Sequence, residues 1–424
     1  MKRVELQELQ LQKLKKMVDY CIASVPFYEK KLKTAGVTGD KIKSLKDIEY
    51  IPFTTKEEIR DNYPFGLFGA PMKNVIRIHA SSGTTGKPTV VGYTKADIEV
   101  WSDCVARILV AAGATEDDIV QVSFGYGLFT GALGLHYGLE KIGAAVVPAS
   151  SGNSEKQLML MKDFGVTGLV STPTYAMYLS EFAKENGYTI DDFKLKTGFF
   201  GSEGCSNEMR SKIEENFGLF ATDNYGMSEL MGPGLSGECK ERDGMHICED
   251  HFFGEIINSQ TGETLPVGET GEAVFTTLTR ECFPMLRYRT KDISRFNDEP
   301  CKCGRTAMRM DKIKGRADDM LKIKGVNVFP SQIESVLIGQ EHIGNHYQLV
   351  VTREGYLDQL EVKVELTDGS LLESFGELNN LQSNIKNKLK SVLGLDAKVS
   401  LVQPKTLERF QGKAKRVLDL RNLK

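Results

Sequence analysis

The chain has 424 residues, 41% of them hydrophobic and 26% charged, with a formal net charge of -3. That length exceeds one ordinary core and suggests two or three units of roughly 100–200 residues each. The charge balance argues against a phosphate-backbone partner such as DNA. No stretch approaches the ~20 uninterrupted apolar residues of a membrane helix.

The N-terminal segment MKRVELQELQLQKLKK is charged throughout and lacks the apolar stretch of a signal peptide. A cytoplasmic protein without membrane or nucleic-acid partners is therefore expected. Residues 5–33 are predicted helical, because Leu14, Met17, Val18, Cys21 and Val25 recur at spacings of three and four until Pro26 interrupts them. A second helix runs through Ile98, Trp101, Val105, Ile108 and Leu109, with Gly113 as its stop. Short apolar runs at 119–122, 144–147, 168–170 and 197–200 read as strands, and their alternation with helical stripes predicts α/β layers. Further strands are expected at 254–257 and 272–277.

The pattern changes after Arg316. Tyr347, Leu349 and Val351 alternate, as do Leu360, Val362 and Val364, which predicts two half-exposed strands. Leu378, Leu381, Ile385, Leu389 and Val392 form a helical stripe closed by Gly394, and Val399 and Leu401 mark a last strand. The fold class expected is a large multilayer N-terminal α/β domain over 1–314, with a smaller, mobile C-terminal α+β domain over 315–424.

Chemistry first appears at Ser81, Ser82, Gly83, Thr84, Thr85, Gly86, Lys87 and Pro88. Two glycines let the backbone approach phosphates, and four hydroxyls and a lysine can donate to their oxygens. The Walker A spacing is not met. A bare Gly/Ser/Thr stretch is ordinarily a polar surface loop, but this order of eight residues favours a phosphate loop.

The segment resembles the phosphate loop of the acyl-adenylate-forming superfamily, which includes acyl-CoA synthetases, adenylation domains and luciferases. Four further segments are similar to that family's motifs, in its order. Asp223, Asn224, Tyr225, Gly226, Met227, Ser228 and Glu229 resemble the adenine and magnesium motif. The run from Arg287 to Asp292 resembles the ribose-binding segment, and Gly315 to Met320 the hinge between domains. Gly412 to Arg416 resembles the C-terminal lysine motif. The segments 124–131, 325–330 and 412–417 carry a narrower likeness, to phenylacetate–CoA ligase and its relatives.

The resemblance implies a site residue by residue. Lys413, Glu229 and Thr84 would be catalytic, with Lys415 competing for the role of Lys413. Glu229 would hold Mg²⁺, a hard cation that prefers carboxylate and phosphate oxygens. Asp223 would accept from the adenine amine, Tyr225 would stack on the ring, and Glu203 would lie at a strand end near it. Many relatives carry proline after that glutamate, whereas Gly204 and Cys205 follow here. Asp292 and Arg316 would hold the ribose, and Asp318 would be the hinge of a lid rotation separating adenylation from thioester formation. Tyr126, Phe129 and Gly131 would line the acid pocket, whose aromatic wall suits a flat aryl or arylacetic acid. ATP, AMP and coenzyme A are the implied cofactors, and a homodimer the implied assembly.

Eight cysteines scattered over the chain do not form a secreted disulfide framework. Cys239, His246, Cys301 and Cys303 nevertheless stand in two turns with ligands that structural zinc prefers, Cys248 and His251 competing. Zn²⁺ is expected there, clamping two loops. Two other functions remain open: transfer of AMP to another acceptor such as a deazaflavin coenzyme, and non-catalytic nucleotide binding.

Overall fold

The computed structural model describes residues 1–81, 88–317, 321–323, 326–354, 357–369, 371, 375–408 and 416–421. The chain opens with α1 (Arg3–Ser24) and α2 (Pro26–Ala35). Leu14, Met17, Val18 and Cys21 are buried along one face of α1, as their spacing dictates. Pro26 is the first residue of α2, where its missing N–H is not needed, and Gly36 ends that helix at φ 67. A short α3 (Lys56–Asp61) follows. The hairpin strands β1 (Arg77–Ala80) and β2 (Val90–Tyr93) pair Ala80 with Val90, so they bracket the expected phosphate loop.

α4 (Lys95–Ala112) begins at a reciprocal cap between Thr94 and Asp97 and stops at Gly113, φ 114. Strands and helices then alternate: β3 (Ile119–Val122), α5 (Gly131–Ile142), β4 (Ala145–Val147), α6 (Ser154–Asp163), β5 (Gly168–Ser171), α7 (Pro173–Glu185), β6 (Thr197–Gly201), α8 (Asn207–Phe217) and β7 (Phe220–Met227). The crossover helices make β4, β3, β5, β6 and β7 a parallel run in that spatial order. Antiparallel strands extend it: β8 (Gly232–Glu238), β9 (Met245–Ile247), β10 (Phe252–Ile257), β11 (Thr270–Thr277), β12 (Tyr288–Asn297), β13 (Arg309–Met310) and β14 (Gly315–Arg316). Together they form one mixed sheet, ordered β10-β11-β12-β13-β9-β8-β7-β6-β5-β3-β4, with β14 on β12.

The C-terminal unit is α+β. It has a hairpin of β15 (Leu321–Ile323) and β16 (Val326–Val328), then α9 (Pro330–Leu337), β17 (Ile343–Glu354), β18 (Leu357–Leu366), α10 (Phe375–Leu393), β19 (Lys398–Val402) and β20 (Val417–Asp419). Its sheet is ordered β19-β18-β17-β20. Its core, with Leu349, Val351, Val362, Ile385 and Leu389, is separate from that of the large sheet. Ile338, at the end of α9, instead joins the cluster of α7 and α8. Burying such a side chain is worth roughly 1.5–3 kcal/mol, so it helps seat the small unit on the large one. Among the described residues no helix is long and apolar enough to cross a membrane.

Candidate active site

The expected site residues gather at the carboxyl ends of β6 and β7 and on β12, where an open α/β sheet leaves room for a ligand. Ser81 lies at the rim of the expected phosphate loop, its hydroxyl accepting from Thr89 N at 3.2 Å. Ser82, Gly83, Thr84, Thr85, Gly86 and Lys87 lie outside the described residues, as do Asp318, Lys413 and Lys415.

Asp292 and Arg316 are directly opposite each other across β12 and β14. The Arg316 guanidinium donates to Asp292 Oδ1 at 3.4 Å, and the Tyr225 hydroxyl donates to Oδ2 at 2.6 Å. Tyr225 thus reaches from the end of β7 to the Asp292 carboxylate. Gly226 follows at a break in the β7–β8 register. A Cβ there would lie 2.0 Å from the Gly232 carbonyl oxygen, so only glycine fits.

Met227 and Ser228 then turn the chain into a short helix that buries Glu229. The Glu229 carboxylate has Lys56 Nζ at 3.9 Å and faces the Tyr288 hydroxyl. A buried carboxylate with one cation at long range fits the donor chemistry of Mg²⁺. Arg280, which sequence reasoning missed, holds this turn from below. Fully buried, it donates to the carbonyls of Glu229 at 2.7 Å and Ser228 at 3.3 Å, and lies over the rings of Tyr93 and Phe283. In the sequence it reads as one more charged residue.

Glu203 follows β6, as expected, and its carboxylate accepts from Thr174 N at 2.7 Å in the first turn of α7. Burial pushes its pKa above the ordinary carboxylate value. Burial also raises Asp223, helped by the neighbouring Glu238, to about 7. Glu238 was missed too: it accepts from Asp223 N at 2.8 Å and pairs with Arg210 at 2.8 Å. Arg416, from the small unit, donates to Thr174 Oγ1 at 3.4 Å and attracts Glu203. It also pairs with Glu334 and covers the Tyr347 ring at 4.3 Å.

The acid-pocket segment connects to both motifs. Leu128 O accepts from Ala80 N at 2.9 Å, and the hydroxyls of Thr130 and Ser228 lie 3.0 Å apart. Tyr126 is half-buried with its hydroxyl 3.0 Å from His136 Nδ1, while Phe129 is 41% exposed. Gly131 opens α5 beneath Phe129, whose ring would meet a Cβ there at 2.5 Å.

Cys239, His246, Cys301 and Cys303 converge beyond the end of β8, their ligand atoms all within 4.8 Å of one another. Cys239 Sγ and Cys301 Sγ are 3.8 Å apart, and Cys303 Sγ lies 3.3 Å from His246 Nε2. A tetrahedral zinc with bonds of ~2.3 Å to sulfur and ~2.05 Å to nitrogen separates its ligands by ~3.8 Å (S to S) and ~3.6 Å (S to N). The quartet fits that ion. The competing Cys248 and His251 point elsewhere, Cys248 Sγ to Cys104 O and His251 Nδ1 to Thr279.

The AMP-binding enzyme family matches residues 9–278, and the AMP-binding enzyme C-terminal domain matches residues 325–421. The chain is 48% identical to phenylacetate-coenzyme A ligase of Escherichia coli (strain K12), over 99% of this chain and 96% of that one. 2-Hydroxyisobutyryl-CoA ligase in its postadenylation state, in complex with R3-HIB-AMP, superposes with a TM-score of 0.93 at 29% identity, covering 99% of this chain and 90% of that one. The same enzyme in its thioesterification state, with 2-HIB-AMP and CoA, gives 0.73 at 29% identity, covering 100% and 91%. The two units are thus arranged as in the former state. The chain belongs to the AMP-binding enzyme family, the acyl-adenylate-forming superfamily, on its phenylacetate–CoA ligase branch.

Proposed function

We propose that this chain joins phenylacetate, or a closely related arylacetic acid, to coenzyme A through an acyl-adenylate. The observation that carries this reading is the Tyr225–Asp292–Arg316 network beside the buried Glu229 turn, in a chain resembling a phenylacetate–CoA ligase from end to end. In the first half-reaction the acid's carboxylate oxygen attacks the α-phosphorus of ATP and pyrophosphate leaves. In the second, the thiol sulfur of coenzyme A attacks the acyl carbon, AMP leaves and the thiol proton is lost.

Each residue has a part in this. Asp292 has lone pairs for the ribose hydroxyls, and Arg316 holds its carboxylate in place. Tyr225 offers the adenine a ring face, with Glu203 and Asp223 beside it. Glu229 would hold Mg²⁺, which offsets triphosphate charge when bound. The phosphate loop 81–87 would cradle the triphosphate, and Lys413 would stabilise the charge that builds on the α-phosphate. Tyr126, Phe129 and Gly131 would bound the acid.

The expected boundary at 314/315 moves past β14, because Gly315 and Arg316 pair with β12 of the large sheet, and Asp318 would be the hinge. A half-buried Arg416 reaching across to Thr174, and two separate cores, support a small unit that moves as a body. The Cys/His quartet would carry a structural Zn²⁺, with no position left for substrate. The same reading makes the protein a cytoplasmic homodimer, which fractionation and sedimentation test. The catalytic reading is tested by acid-dependent exchange of labelled pyrophosphate into ATP, without coenzyme A, across aryl, arylacetic and aliphatic acids. Exchange with phenylacetate above the aliphatic acids supports it; exchange with no acid contradicts it.

A further inference from the structure

Resting on the zinc reading, we infer that the ion in the Cys239–His246–Cys301–Cys303 quartet positions the nucleotide motif, through Glu238. The quartet draws on three places: the end of β8, β9, and the loop between β12 and β13. Cys239 directly follows Glu238, and His246 pairs with Gly237, on the other side of Glu238. A zinc ion would therefore pin the strand immediately after Glu238 and the facing strand opposite Gly237. Cys301 and Cys303 would tie both to the loop leading into β13.

Glu238 links that end of β8 to the nucleotide motif. Its carboxylate is 2% exposed and bonds both the Asp223 N–H and the Arg210 guanidinium through one oxygen. On one side it borders a small cavity, lined by Ile108, Leu109, Phe199 and Thr222 among others. Gly237, next to it, packs directly on α4, where a Cβ would lie 2.8 Å from Ile108 Cβ. Two other groups of the quartet's hairpin also lean on the motif's strand. Asn224 pairs with Gly237 and Tyr225 with Ser236, so a shift of β8 moves the backbone that carries both. A bound cation would draw three cysteine sulfurs and an imidazole together at this end of β8. Glu238 is thus a positioning residue: it meets no substrate, and it sets where the Asp223 backbone and the Tyr225 ring stand.

The test uses the full-length protein. Metal content is measured by mass spectrometry of the purified chain. Zinc is then removed with a chelator, and the affinity for ATP with added Mg²⁺ is measured by calorimetry. The same is done with Glu238→Gln, and with Cys303→Ser, which alters the one ligand that is only half-buried. One zinc per chain is expected, with ATP binding weakened about tenfold on its removal, the order expected of one charge-assisted hydrogen bond. In Glu238→Gln the further loss on zinc removal should be under twofold, because both changes break one route. Cys303→Ser should lose affinity in proportion to zinc lost. Well under one zinc per chain overturns the zinc reading itself. Stoichiometric zinc whose removal leaves ATP affinity unchanged overturns the coupling alone, and equal losses in wild type and Glu238→Gln overturn the route through Glu238.

Discussion

Asp292→Asn is the substitution that isolates the nucleotide-binding role assigned to the β12 network. The side chain keeps its size, so packing around a residue that is 6% exposed is preserved. In the native site one oxygen takes the Tyr225 hydroxyl at 2.6 Å and the other faces Arg316 at 3.4 Å. The amide turns one of these acceptors into a donor and removes the charge. Tyr225 can rotate its hydroxyl to accept, but Arg316 and the ribose hydroxyls cannot both be served by the one oxygen left. A hydrogen bond to a charged group contributes about 1.5–3 kcal/mol, which corresponds to roughly 10- to 150-fold in kcat/KM for ATP. Steady-state kinetics with each substrate varied in turn is the assay. ATP should carry the loss, while KM for the acid and for coenzyme A should move by less than about threefold. A KM and kcat/KM for ATP within twofold of wild type would refute the ribose assignment. An equal loss for all three substrates would point to general distortion instead.

Other consequences follow from the same contacts. Arg416→Gln removes the cation that reaches Thr174 and Glu203 from the small unit, and pyrophosphate exchange should fall about tenfold. Thioester formation from preformed acyl-adenylate should fall less; the reverse order would contradict a role in holding the adenylation arrangement. Arg280→Met strips the donor from two buried carbonyls, and each unpaired group costs about 1–3 kcal/mol. A loss of about 2–6 kcal/mol is therefore expected in urea denaturation, and a change under 1 kcal/mol would show that the turn stands without it. Asp223 is raised from an ordinary 3.8 to about 7, so the native state keeps a proton that the unfolded chain releases in that window. Its contribution to stability therefore falls as pH rises from about 4 to 7. Asp223→Asn should flatten that part of the Tm profile, and an unchanged slope would contradict the shift.

Elements with clean periodicity were legible in the sequence. The stripe from Ile98 to Leu109 and the stop at Gly113 became α4, and the apolar run 119–122 became β3 with the same bounds. β8 was not legible, because GPGLSGE has the composition of a loop. Its glycines are there for contact: Gly234 sits at φ 103, and a Cβ on it would lie 2.7 Å from Val105 Cγ2 on α4. Trp101 Nε1 donates to Pro233 O at 2.7 Å from the same helix, so tertiary packing makes this strand, against local propensity. β12 alternates buried and less buried positions along its length, but its run of charged residues hid the pattern; Arg287 and Arg289 are paired with Glu255 and Glu272.

The site divides in the same way. Glu229, Tyr225, Asp292 and Arg316 were singled out through motif order, and the Cys/His quartet through ligand chemistry; the structure brings Tyr225, Asp292 and Arg316 into one network and the quartet into one cluster. Arg280, Glu238 and Arg210 were not reached, because their partners lie far off in sequence and each alone reads as a solvated charge. Only the fold reveals that Glu238 and Arg210 form a buried pair under Asp223.

The most direct measurement is the mass of the product formed from phenylacetate, ATP, Mg²⁺ and coenzyme A by the purified protein. The account predicts phenylacetyl-CoA, with AMP and pyrophosphate formed in equal amounts and no thioester when ATP is omitted. Pyrophosphate and acyl-adenylate without any thioester, or AMP transferred to another acceptor, would contradict it.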